Sequence, residues 1–343
     1  MIKKTIRNLM TQHPTFRQLY ESTRAIYHRG RKLSYFIKDA SQTFRYMQWS
    51  HQKNITYWAT SAELLFQYHK LEKGLCMPGK KRFFGYDPAS ATLKMLTKWR
   101  KSGLSNTDPI YLGAIETLRA YRARIDETPP ERGELLRQAL DTELNQAPEI
   151  VTNLQTPIPA VSITGDEPII GLEHLALARR SVRAFISEHI ADDVIQRAIA
   201  VAQMSPSACN RQPCSAHIYR DRQRIDTMLE LQNGNRGFGH TIPVLLVLTA
   251  EASCFFDASE RQEPYIDGGL FAMSLILALQ AQNVSTCCLN WCVEPAQDDL
   301  AHKLGNIPAS ERIIMYIAVG MAEANALVPR SPRRDIKDIL IKH

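Results

Sequence analysis

Cysteine is scarce where a secreted scaffold would need it. The chain holds seven, of which Cys76 is the only one in the first 200 residues, and no even-spaced framework follows. That pattern excludes a disulfide-stapled fold and reads as reduced thiols. Long apolar runs are missing as well. The longest, Ile242–Ala250 and Leu270–Ala281, stop short of the roughly 20 residues a membrane-spanning helix needs, so no transmembrane segment is expected. The opening MIKKTIRNLMTQHP is basic but lacks an apolar core and a small-residue cleavage pattern, so no signal peptide is read and a cytoplasmic location is expected. Internal repeats and low-complexity tracts are also absent.

What is present is ordinary in amount and uneven in distribution. Apolar residues make up 44% of the 343 and charged residues 22%, which fits a globular chain of one large or two smaller domains. Residues 1–160 carry 25 Lys and Arg against 14 Asp and Glu, whereas residues 161–343 carry 17 against 21. The basic excess is scattered, and no stacking-aromatic motif accompanies it, so nucleic acid is not an expected partner.

Residues 1–150 read as mainly helical, with apolar residues at three- and four-residue spacing (Ala62, Leu65, Phe66; Ile115, Leu118, Tyr121) and breaks at 74–88, 102–109 and 128–133. The run from His69 to Gly79 predicts a helix ending at Lys73 with Gly74 as a left-handed cap; His69 and Glu72, one turn apart, can pair or face a ligand. Four prolines between Ala147 and Pro168 mark residues 151–168 as a linker. From 169 to 343 strands alternate with helices: helices at 172–180, 192–204, 225–232 and 269–283, strands at 216–219, 244–249 and 313–319, and an apolar run at 286–293. An α+β fold follows.

Two short motifs carry the chemistry. Arg179, Arg180, Ser181 and Arg183 follow a helix and present forked, permanently charged donors and a hydroxyl, a set suited to a phosphate dianion; alone it reads rather as a solvated helix end. Some 25 residues later, Pro206, Ser207, Asn210, Gln212 and Pro213 form a proline-stiffened polar loop able to meet the edge of a heteroaromatic ring. Together the motifs resemble the nitroreductase family of flavoproteins. The likeness continues through Asn233 to Gly239, Asp267-Gly268-Gly269, Cys288-Leu289-Asn290-Trp291 and a tail with Arg330 and Arg333, spanning about Leu172 to Leu340.

The resemblance implies a nitroreductase-like mixed or antiparallel sheet flanked by helices, preceded in this long bacterial form by the helical region. It also implies FMN as cofactor. Arg179, Arg180 and Ser181 are then expected at its phosphate, and Arg183 at the pyrimidine end. Asn233 or Asn235 would complete the pyrimidine edge, and the backbone of Cys288, Leu289, Asn290 and Trp291 would pass by N5. Arg330 and Arg333 would close on the phosphate, with Arg334 as a substitute for the one-residue difference in spacing. In the family the loop from Pro206 to Gln212 reaches over from a partner subunit, which implies a homodimer with shared sites, its core the apolar helix near Leu270. Asp267 is expected to cap that helix. No catalytic side chain and no metal ligand is expected: the flavin carries the redox chemistry.

The implied activity is an NAD(P)H-driven, ping-pong two-electron reduction of a nitroaromatic, quinone or related acceptor. Alternatives are a flavin-dependent dehydrogenase or oxidase in a biosynthetic pathway, possibly of a surface polymer, and a flavin-binding accessory protein with little turnover. Cys214 stands where the family commonly has Trp. Cys287, Cys288 and Cys292 match no standard zinc spacing and read as small buried apolar residues.

Overall fold

The computed structural model describes residues 14–47, 56–78, 83–126, 133–147 and 156–343. Most of the expected break at 128–133 and the first part of the 151–168 linker lie outside them.

The N-terminal part is helical: α1 Pro14–Tyr46, α2 Tyr57–Cys76, α3 Tyr86–Lys101, α4 Pro109–Asp126 and α5 Glu134–Gln146. Local signals set the ends. Thr56 caps α2 by accepting the Ala59 N–H at 3.2 Å, and the Asp108 carboxylate accepts the Ile110 N–H at 2.8 Å. Gly85, at φ 72°, turns the chain into α3. Leu64, Leu71, Leu96, Trp99, Ile115, Leu118 and Tyr121 form the core between these helices.

The expected left-handed cap at Gly74 is corrected: α2 continues to Cys76, and Gly74 lies inside the helix. Its lack of a side chain serves packing, because a Cβ there would land in the Phe84 ring. His69 Nδ1 lies 2.9 Å from the Glu72 carboxylate, so these two residues pair with each other.

The C-terminal part follows as α6 Glu167–Ala178, α7 Asp192–Ala202, β1 Cys214–Tyr219, α8 Arg222–Glu230, β2 Val244–Glu251, α9 Glu263–Ala281, β3 Ser285–Asn290, α10 Pro295–Gly305 and β4 Glu311–Gly320. The four strands form one antiparallel sheet in the order β1-β2-β4-β3. All eight residues of β2 are buried, since both faces of the sheet are covered. Alternation along the strand divides them. Val244, Leu246 and Leu248 pack with Ile195, Phe271, Leu275 and Leu279 of α7 and α9. Leu245 and Val247 pack with Ile225, Leu229, Ala301 and Tyr316 on the other face. The architecture is α+β.

Several ends differ from the sequence reading: α6 begins at Glu167, five residues before Leu172 and inside the expected linker. α9 begins at Glu263, six residues before Gly269, because Pro264 is tolerated in a first helical turn. At 19 residues α9 is long and apolar enough by length and composition to cross a membrane, contrary to the expectation that no segment would be; here half of it is buried, packed on the sheet. The α10 helix was not expected, although Glu294 and Gln297 cap it reciprocally and Pro295 opens it.

The two parts are packed together. Met47 and Ala62 share a buried cluster with Ala252, Cys254 and Phe255. Arg312 of β4, 4% exposed, donates to Asp39 at 3.1 Å, Gln42 at 2.6 Å and Thr43 at 3.1 Å, all on α1.

Candidate functional site

Arg179 ends α6, and the chain then runs along the edge strand β3. Ser181 bridges Thr286 in parallel, and the Val182 N–H donates to the Thr286 carbonyl at 3.0 Å. This places Arg179, Ser181 and Arg183 around Cys287. Burial pushes the Cys287 thiol up, while Arg183, Ser181 and Arg179 pull it down. The Arg183 guanidinium lies 6.0 Å from the centre of the Phe238 ring, at the far end of the Asn233 to Gly239 loop.

None of the guanidinium groups of Arg179, Arg180 and Arg183 has a carboxylate partner among the described residues; Arg180 donates to the carbonyls of Ala176 and Arg179, and Arg183 to that of Ser181. Elsewhere Arg31, Arg100, Arg122, Arg211, Arg220, Arg222 and Arg312 are all in ion pairs. Three cations and one hydroxyl along a strand edge, with no carboxylate paired to them among the described residues, are a donor set chemically able to hold an anion.

Gln232, which the sequence reading did not single out, fixes the neighbouring loop. Its amide donates to the Asn290 carbonyl at 2.9 Å, and its side-chain oxygen accepts the Gly234 N–H at 2.6 Å. The Asn235 amide donates to the carbonyls of Leu229 and Gln232, both at 2.7 Å. The structure thereby separates the two asparagines: Asn235 holds the loop together, while Asn233 is exposed. Cys288 and Asn290 are exposed at the β3 edge, and Leu289 is buried. The Trp291 ring is committed to packing, stacked on Tyr316 at 4.5 Å with its N–H donated to Asp298 at 2.7 Å. Only its backbone remains for a ligand. Of the three clustered cysteines, Cys287 is buried but Cys288 and Cys292 are exposed, which corrects their reading as buried apolar residues.

The loop from Pro206 to Gln212 stands elsewhere, ahead of β1 on the opposite edge of the sheet from β3. Three strand spacings, about 14 Å, separate the two edges, so one chain does not join this loop to the arginine cluster. Cys209, Asn210 and Gln212 all have positive φ (50°, 55° and 50°), and the surroundings hold that shape. Ser207 accepts the Gln212 N–H at 3.0 Å, and Arg211, fully buried, grips Glu260 at 2.6 Å and the Ala208 carbonyl at 2.8 Å. Asn210 is exposed.

Asp267 is not the cap of its helix. It lies inside α9, 3% exposed, and accepts the Ala208 N–H at 3.2 Å. Burial pushes its carboxyl up to about 6, the Ala208 hydrogen bond acting the other way. It lines a cavity of about 260 Å³ between this loop and the helical part, with Tyr57, Trp58, Asp108, Phe271 and Cys214. Burial raises the Cys214 thiol to about 12.

The tail leaves from beside the arginine cluster, since the Ile186 N–H donates to the Met321 carbonyl and the Glu323 N–H to the Ala184 carbonyl. Beyond that point Arg330, Arg333 and Arg334 are exposed, with Arg333 donating to the Ser331 carbonyl. Within one chain they do not meet Arg179 or Ser181 in any ion pair or hydrogen bond among the described residues.

The nitroreductase family model matches residues 176–234 and 222–321, the stretch that holds the arginine cluster, the polar loop and the whole sheet. An iodotyrosine deiodinase from Hydra vulgaris is 24% identical over 191 residues, covering 48% of this chain and 70% of its own. Among solved structures, a nitroreductase family protein from Streptococcus pneumoniae is 20% identical, covering 50% of this chain and 100% of its own, at a TM-score of 0.43. A protein assigned as a nitroreductase from Desulfovibrio desulfuricans, solved in complex with FMN, is 19% identical and covers 50% of this chain and 96% of its own at 0.44. The stretch similar to the nitroreductase family is thus residues 176–321, which hold both motifs and the sheet.

Proposed function

We propose that the chain is an FMN-dependent oxidoreductase that works as a homodimer. The observation that carries this reading is the set of guanidinium groups on Arg179, Arg180 and Arg183 that have no carboxylate partner among the described residues, gathered with Ser181 along the β3 edge. A flavin mononucleotide presents both things that set can take: a phosphate dianion, and a ring end that gains negative charge on reduction.

In this reading Arg179, Arg180 and Ser181 hold the phosphate, and Arg183 faces the pyrimidine end, where a fixed cation favours the reduced state. Asn233, left open by the structure, completes the pyrimidine edge. The backbone from Cys288 to Trp291, anchored by Gln232, supplies hydrogen bonds without a special side chain. Bound FMN supplies hydride transfer between NADH or NADPH and an acceptor such as a nitroaromatic or quinone. The protein's task is then orientation, charge and access.

A second copy of the chain contributes Ser207, Asn210 and Gln212, which one chain cannot bring to its own cluster. The exposed tail, which leaves from beside the cluster, carries Arg330 and Arg333 to close on the phosphate. Ile266, Leu270 and Met273 on α9, with Val201 and Met204 beside them, form an exposed apolar face suited to that contact. Halogenated phenols belong among the acceptors to be tried, since the Hydra vulgaris relative is named as an iodotyrosine deiodinase.

Anaerobic absorbance titration tests the proposal. FMN should bind and bleach on addition of NADH or NADPH, and colour should return with an acceptor. Binding without bleaching would leave the accessory-protein reading, and failure to take up FMN would remove the proposal.

A further inference from the structure

The longest helix presents its polar face to the protein and an apolar face to solvent. Along α1, Arg31 pairs with Glu294 at 3.1 Å, Lys38 with Asp298 at 2.5 Å and Asp299 at 2.8 Å, and Asp39 with Arg312 at 3.1 Å. At 100° per residue, Arg31, Tyr35, Lys38, Asp39 and Gln42 occupy one side of the helix. The opposite side carries Ile26, Leu33 and Ile37, exposed by 68%, 57% and 58%, with Phe36 beside them at 71%. A surface helix ordinarily turns such residues to the core. Here charge pairs take that place, and the apolar side is left over.

The spacing on that side is regular. Thr23, Ile26, Gly30, Leu33, Ile37, Ala40 and Phe44 recur at alternating intervals of three and four residues, a period of 3.5 sustained over three heptads. That is the seam of a helix that packs along a second helix, narrower than the stripe a globular core requires. The positions flanking the seam are Tyr20, Ser22, Tyr27, Arg29, Ser34, Phe36, Ser41 and Thr43, with Arg29 the one charge among them. Two identical seams can therefore approach without like charges opposed.

A lipid surface is the other occupant to weigh. A helix lying on a membrane flanks its apolar stripe with cations. In α1 Arg29 alone flanks the stripe, whereas Arg24, Arg31 and Lys38 sit on the far side from it, and Arg31 and Lys38 are held by carboxylates of the C-terminal part.

We infer that α1 is a self-association helix, whose Ile26, Leu33 and Ile37 face packs against the same helix of a second copy. This contact is separate from the α9 face and independent of flavin binding.

Full-length proteins with one added cysteine at Ile26, Leu33, Ile37 or Lys32 are oxidised mildly, singly and in mixed pairs, and cross-linked peptides are identified by mass spectrometry. Links between seam positions at tenfold or more over Lys32→Cys are expected, and which positions join gives the orientation. Seam yields no higher than those of Lys32→Cys overturn the inference. As a second measurement, the Ile26→Ser/Leu33→Ser/Ile37→Ser variant should weaken self-association at least tenfold in sedimentation at unchanged helical content. Unchanged association, or loss only of binding to vesicles of anionic phospholipid, also overturns it.

Discussion

The Gln232 amide donates to the carbonyl of Asn290, at 2.9 Å and across 58 positions of sequence. That bond joins the loop after α8 to the end of the edge strand, and the other end of the same side chain closes the turn at Gly234. One residue thus sets the spacing of two segments assigned to the flavin ring.

Gln232→Ala should therefore act on both. Asn290 and Gly234 are exposed, so water takes over part of each lost bond, and a drop of about 1 kcal/mol in stability by denaturant titration is expected, with FMN binding weakened at least tenfold. Wild-type affinity in a destabilised protein would confine Gln232 to a packing role.

Replacing Arg179 and Ser181 together by alanine removes two charge-assisted bonds in the proposed phosphate site. At roughly 1.5–3 kcal/mol each, FMN affinity should fall by about a hundredfold or more. Fluorescence titration of FMN reads this directly, and riboflavin, which lacks the phosphate, should bind wild type and variant alike. Equal FMN affinity in both proteins would remove the phosphate assignment.

Asp267 predicts a pH dependence. Its carboxyl is raised to about 6 in the fold, against roughly 3.9 in an unfolded chain. The folded form therefore binds the proton more tightly and holds more of it between those values, so this group's stabilising effect is complete below about pH 4 and is lost as pH rises through about 6. The loss amounts to roughly 3 kcal/mol. Asp267→Asn keeps an acceptor for the Ala208 N–H and removes the titration. The variant should gain on wild type in denaturation midpoint between pH 4.5 and 7.5, and parallel curves would contradict the burial of this carboxylate.

Gly74→Ala separates two effects of opposite sign. Alanine in a helix interior is favoured over glycine by about 0.5–1 kcal/mol, but here its Cβ meets the Phe84 ring, and overpacking costs about 1–3 kcal/mol. Net destabilisation is expected, relieved in part by Phe84→Leu. A thermal midpoint above wild type would show that the ring yields.

Legibility in the sequence followed the range over which each signal acts. The continuous apolar β2 run and the periodic helices were readable because neighbours in sequence dictate them, and the paired motifs pointed to the family because their residue types are unusual together. Gln232 escaped because a lone glutamine has no pattern; its meaning lies in Asn290, on another strand. The same holds for Asp267, read as a local cap but placed by packing under Ala208. Gly74 looked like a helix end because local rules see the glycine and not the Phe84 ring above it. The start of α9 was set late because Pro264 was not read as an opening residue.

Under Met47 and Ala62, the turn at Ala252, Cys254 and Phe255 has become interior. A version of this chain pared down to residues 169–343 would lay that carbon surface bare and strip the Arg312 guanidinium of its anchors on α1. The helical part is accordingly a structural counterpart to the sheet, and trimming it away should yield a sticky, poorly behaved fragment rather than a minimal catalyst.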